Sequence, residues 1–187
     1  MNYFKIIFSL LLIVGFHCLQ AQDRFYTKSG QISFFSKAPL ESIEAANKNV
    51  TCVLDTKTGQ LQFVVLMKGF EFRKALMQEH FNENYVESSK FPRAEFKGQI
   101  VNNNEINYKL DGTYNANVKG KLSIHGETKE IESTGTITIK DGKISAASGF
   151  NILLSDYKIT IPALVKDKVS NSVSITVNCA LELLKSS

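Results

Sequence analysis

The chain has 187 residues, of which 43% are apolar, 21% charged and 10% aromatic, with three cysteines, no tryptophan and a formal charge of +4. These proportions fit one globular domain; they exclude a disordered chain, a collagen-like repeat and a disulfide-dense scaffold. No run of five like charges occurs, so nucleic acid is not an indicated partner.

Residues 1–21 read as an export signal. Lys5 is their sole charge, residues 6–16 form an apolar run, and Leu19-Gln20-Ala21 ends in the small residue that a signal peptidase needs. The run falls short of the roughly 20 apolar residues that a spanning helix requires. Cys18 suggests lipid modification instead, but His17 stands where a small residue is wanted. The expected product is one domain over residues 22–187, periplasmic or secreted, with no stable membrane insertion after cleavage.

Beyond the signal, period-2 alternation dominates and predicts an all-β domain. Strands are expected near 30–38, 41–47, 50–54, 60–68, 93–101, 105–110, 113–125, 129–140, 143–154 and 170–183, some of the short ones merging to give about eight. In the last, Val173, Ile175, Val177, Cys179 and Leu181 face one way and Ser172, Ser174, Thr176 and Asn178 the other. Turn signals at Asp55 to Gly59, Asp111-Gly112 and Asp141-Gly142 make neighbouring strands antiparallel. Such a set closes into a barrel or folds into a sandwich. One segment differs: from Phe70 to Tyr85 the apolar residues recur at three- to five-residue spacing, which predicts a short helix across one barrel end. That helix either completes the core or gates a ligand.

Catalytic candidates are few. His80 and His125 are the histidines beyond the signal, no G-x-S-x-G elbow is present, and both remaining thiols sit in strands on the apolar side. Glu79, His80, Glu83 and His125 match no zinc signature, so no catalytic or metal residue is assigned. His125, beside Gly126, reads as a strand-end turn residue. Cys52 and Cys179 both point inward by parity, where they either bridge or pack as small hydrophobes.

Four stretches carry a family resemblance: Leu76-Met77-Gln78-Glu79-His80-Phe81-Asn82, Lys90-Phe91-Pro92-Arg93-Ala94-Glu95-Phe96-Lys97-Gly98, Gly120-Lys121-Leu122-Ser123-Ile124-His125-Gly126-Glu127-Thr128-Lys129, and Phe150-Asn151-Ile152-Leu153-Leu154-Ser155-Asp156-Tyr157. In order and spacing the chain resembles the YceI-like family of exported lipid-binding proteins. The resemblance implies a lipocalin-like antiparallel β-barrel of about eight strands with one short helix capping an end. It implies a non-catalytic carrier that holds an isoprenoid lipid, such as a polyprenyl quinone or polyprenyl phosphate, with no other cofactor, and it implies a homodimer. By position Phe63, Val65, Met67, Phe70, Leu76, Phe81, Phe91, Phe96, Phe150 and Leu154 would line or cap the interior. Two departures stand out: Glu130 where the family commonly has proline, and Lys158 where a glycine is usual. The alternative reading is a barrel filled by its own side chains, acting in envelope stress or adhesion through a protein partner.

Overall fold

The alternating segments fold into nine antiparallel strands in the computed structural model, which describes residues 23–184. The export segment lies outside the described residues. In chain order the strands are β1 (Arg24–Lys37), β2 (Ser42–Asp55), β3 (Gln60–Leu66), β4 (Glu71–Phe72), β5 (Arg93–Ile100), β6 (Gly112–Ile124), β7 (Glu127–Lys140), β8 (Lys143–Leu153) and β9 (Ser172–Leu183). The sheet runs β1-β9-β8-β7-β6-β5-β3-β2, and β1 pairs again with β2, so eight strands close into a barrel. The two-residue β4 takes over the edge of β2 that β3 leaves, pairing Phe72 with Ala45.

The short segments 41–47 and 50–54 merge into one strand, as the expected count of about eight allowed, whereas the start of β1, segment 105–110 and the helix need correction. Inward positions in β2 run Ala45, Asn47, then Val50, Cys52, Leu54, all buried, because an irregularity in the register with β1 shifts the parity by one. β1 shifts with it, from Thr27 to Gly30, and therefore begins at Arg24 rather than at residue 30. Segment 105–110 is not a strand. It follows a 3-10 turn at Asn103–Glu105 and folds across the barrel end as a plug, with Ile106 buried and Tyr108 donating its hydroxyl to Asn103 Oδ1 at 2.8 Å. Burial there pushes the Tyr108 phenol up to about 12. The expected helix is shorter, α1 (Ala75–His80), continued by a single π-type turn over Phe81–Tyr85.

Tight turns follow the local chemistry. Asp55 Oδ1 accepts the backbone N–H of Lys57 at 3.0 Å and of Thr58 at 2.9 Å, and Gly59 supplies a φ of +74°. Burial opposes the Asp55 charge, but the donors from Thr58, Lys57 and Arg24 outweigh it and hold the carboxyl below its usual value. His125-Gly126 and Asp141-Gly142 are two-residue hairpin loops with both φ values positive, as tight β-hairpins require. Asp111-Gly112, by contrast, is no hairpin: Gly112 opens β6, and the Asp111 carboxylate accepts the Asp141 N–H.

Three connections meet at one end, the β1–β2 turn, the α1 segment between β4 and β5, and the β8–β9 connection, while the β5–β6 connection crosses the other. At the α1 end the wall is incompletely laddered. β7 and β8 pair only from Gly135↔Ser148 to Lys140↔Lys143, so residues 127–134 of β7 and 149–153 of β8 run unpaired with each other. Ser133 Oγ meets Ser148 Oγ at 2.7 Å where the pairing stops, and Lys158 reaches Glu127 at 2.7 Å near the rim. Lys158 is held in the left-handed region at φ +55°, the conformation that glycine adopts most readily.

Candidate functional site

The barrel is hollow. A cavity of about 520 Å³ runs inside it, walled by inward positions of β3, β5, β6, β7, β8 and β9. A filled interior, the premise of the alternative reading, is therefore not what these side chains build. On one wall Phe63 and Phe96 lie 6.3 Å apart, and the facing glycines Gly98 and Gly120 leave the room that the Phe96 ring takes, since a Cβ on either would come within 2.7 Å of its Cζ. Opposite, under α1, Phe34 stacks on Phe81 at 5.5 Å and packs against Phe70 at 5.4 Å and Phe72 at 5.8 Å. Edge-to-face and offset ring pairs of this kind hold their geometry firmly, so the helix is pinned to the barrel by its aromatic underside.

Of the ten positions expected to line the interior, the cavity brings together Phe63, Val65, Met67, Phe70, Leu76, Phe81, Phe96, Phe150 and Leu154. Phe91 is elsewhere. It sits outside the cavity with its ring edge-on to His125 at 4.5 Å, over Gly126, where a Cβ would approach it to 2.7 Å. His125 is a turn residue there, its Nε2 2.7 Å from Glu87 and its Nδ1 3.0 Å from the Tyr157 carbonyl. Sequence reasoning missed Phe34, Phe72, Ile131 and Ile175, all of which line the cavity. Their signal was parity: Phe34 shares its face with Ile32, and Ile175 with Val173 and Val177.

The electrostatics are those of an apolar container. Among the described residues the buried polar side chains are Thr27, Ser36, Asn47 and Ser88, none of them charged. The charged residues of the lining are Lys74 and Glu41, 3.3 Å apart, and Lys168, all on the connections at the α1 end, together with Glu95 on β5, which pairs with Lys97. A ligand's polar or ionic end would lose several kcal/mol if drawn inward without partners, so this geometry favours an apolar chain inside and a head at the mouth. Among the described residues no three His, Cys, Asp or Glu side chains gather as a metal cluster. Cys52 and Cys179 are free buried thiols rather than a bridge, meeting beside Gly30. The hydrogen bond to Cys179, together with burial, raises the Cys52 thiol far above its ordinary range, so it stays protonated.

Comparison with known proteins gives a family. A YceI-like domain model matches residues 14–181. No curated protein sequence matches the chain. Among solved structures, the chain is similar to a polyisoprenoid binding domain from Saccharophagus degradans implicated in plant cell wall breakdown, at 13% identity and a TM-score of 0.76 over 87% of this chain and 99% of that one. It is similar to Burkholderia cenocepacia BcnA at 17% identity and a TM-score of 0.67, over 82% and 96% of the two chains. It is also similar to a Campylobacter jejuni YceI protein, at 18% identity and a TM-score of 0.52 over 75% and 84%. At these identities the likeness is one of fold.

Proposed function

The chain belongs to the YceI-like family, and from that premise we propose that it is an exported, non-catalytic carrier that buries an isoprenoid-type lipid, a polyprenyl quinone or polyprenyl phosphate, inside its barrel. The observation that carries the reading is the hollow, largely apolar interior, where no buried side chain among the described residues is charged. A cavity of roughly 150 Å³ takes up one benzene, so about 520 Å³ has room for some 20 carbons, or about four isoprene units. Each methylene moved from water into such a space contributes about 0.8 kcal/mol, so chain burial alone supplies ample affinity. A longer chain would leave its remainder and its head at the mouth, beside Lys74, Glu41 and Lys168. The periplasm or the extracellular space is the compartment that the signal-like leader suggests.

The test is native mass spectrometry of protein expressed with export, followed by solvent extraction. A discrete added mass that extracts as an isoprenoid is expected, and it should disappear in Phe63→Asp and Phe150→Asp. Bare protein that stays bare after incubation with polyprenyl quinones, or full uptake by folded aspartate variants, would overturn the reading.

A further inference from the structure

The cavity's mouth is framed by three segments that are linked to one another. The β1–β2 turn is bonded to the β8–β9 connection, Leu40 N–H donating to the Asp167 carbonyl at 2.9 Å, and to the start of α1 through Glu41 and Lys74. Each segment carries one leucine turned to solvent. Leu40 is 72% exposed, Leu76 60% and Leu164 97%. Single exposed leucines are ordinary on a protein surface. Three of them stand around the entrance to an apolar chamber, one on each segment, and include the two most exposed large apolar side chains among the described residues.

Cations stand among them. Lys37 precedes the first segment, Arg73 and Lys74 open the second, and Lys166 and Lys168 lie in the third, close to the leucines, while the same segments carry Glu41, Glu79, Glu83, Asp156 and Asp167. Among the described residues Lys37, Arg73, Lys166 and Lys168 join no salt bridge. Apolar tips ringed by basic side chains match the boundary layer of an anionic bilayer, where leucine enters the acyl region and lysine stays among phosphates. A protein partner would need a separate pocket for each tip; a fluid bilayer needs none. No described helix is long and apolar enough to cross a membrane.

We infer that this rim is a membrane-docking surface, which seats the mouth of the barrel on an anionic lipid bilayer so that an apolar chain passes between bilayer and cavity without crossing water. The inference rests on the carrier reading for its purpose, not for its test. Purified protein is floated with vesicles of equimolar phosphatidylglycerol and phosphatidylcholine, and with pure phosphatidylcholine, while uptake of the apolar dye N-phenyl-1-naphthylamine from buffer is measured separately. Wild-type protein should float with the anionic vesicles and be released by added salt. Leu164→Asp should weaken partitioning by about tenfold, and Leu40→Asp similarly. Leu110→Asp, at a leucine of the opposite barrel end as exposed as Leu76, should change nothing.

Wild-type protein that takes up dye but ignores both vesicles overturns the docking and leaves the carrier reading standing. Vesicle binding without dye uptake does the reverse. Equal losses in Leu164→Asp and Leu110→Asp overturn the assignment to the rim, and so does a dimer that Leu164→Asp dissolves in protein that does not float.

Discussion

Ala146 lies on the inward face of β8, between Ile144 and Phe150, and lines empty space. Ala146→Phe adds a phenyl group there, removing about 150 Å³ from the cavity of about 520 Å³, close to the room of one isoprene unit. If a bound chain fills the chamber, about five of its carbons are expelled to water at about 0.8 kcal/mol each, or about 4 kcal/mol and nearly a thousandfold in Kd. The fold itself should not suffer. Overpacking is costly in a filled core, but filling a void commonly adds about 0.5–2 kcal/mol. The assay pairs thermal melting of ligand-free protein with displacement of N-phenyl-1-naphthylamine by a polyprenyl quinone. A melting temperature at or above that of wild type with affinity lost is the expected result. A variant that melts like wild type and binds with wild-type affinity refutes the idea that the ligand occupies this chamber.

Three further outcomes follow from particular contacts. Asn47 is fully buried, donating to the Leu66 carbonyl and accepting the Asn49 N–H at 2.9 Å each; Asn47→Ala should cost about 2–4 kcal/mol in urea unfolding, and a loss below about 1 would deny it that bracing role. Because the Asp55 carboxyl is held below its usual value, its contribution is fully present above the unfolded pKa and fades as pH falls through the folded one. The stability gap between wild type and Asp55→Asn should thus be constant above about pH 5 and shrink below about pH 4, and a gap unchanged down to about pH 2 would contradict this. Lys158→Gly relieves a left-handed backbone at the expense of the contact to Glu127. Strain relief of about 1 kcal/mol should raise the melting temperature most clearly at high salt, where the lost ion pair counts least, and a lower melting temperature in both low and high salt would show that no strain was stored.

Much of the barrel was legible because a sheet with one dry and one wet face writes its geometry into alternate residues. β6 to β9 kept that rhythm unbroken and were located to within a few residues. β1 and β2 break the rhythm, for a definite reason: residues 28–29 and 48–49 are each inserted between two runs of opposite parity, so β2 reads as two short strands and the first part of β1 goes unread. The opposite error befell 105–110, where Ile106, Tyr108 and Leu110 alternate with polar neighbours although the backbone turns repeatedly. The run Asn102-Asn103-Asn104 carried the better signal, since these side chains cap turns; Asn103 does so on the Thr56 carbonyl at 2.9 Å. For the cavity, parity told which side chains point inward. It did not tell whether they meet, which depends on the barrel's width. Phe91 was misplaced because Phe91-Pro92 leads into β5 but has already left the barrel wall.

The unladdered stretch between β7 and β8 gives the wall an expansion joint. A backbone hydrogen bond has a net worth of about 1 kcal/mol, and none has to break for residues 127–134 and 149–153 to move apart. Side-chain clasps resist: Ser148 Oγ meets Ser133 Oγ and donates to the Thr134 carbonyl, and Lys158 holds Glu127. The barrel's girth is thus stiff at the plugged end and compliant toward the opening. Amide protons on the facing edges of those two stretches should exchange with solvent faster than those of β1 and β9. A guest somewhat too bulky for the resting chamber then meets a wall that yields along one line, while the remaining strands keep their register.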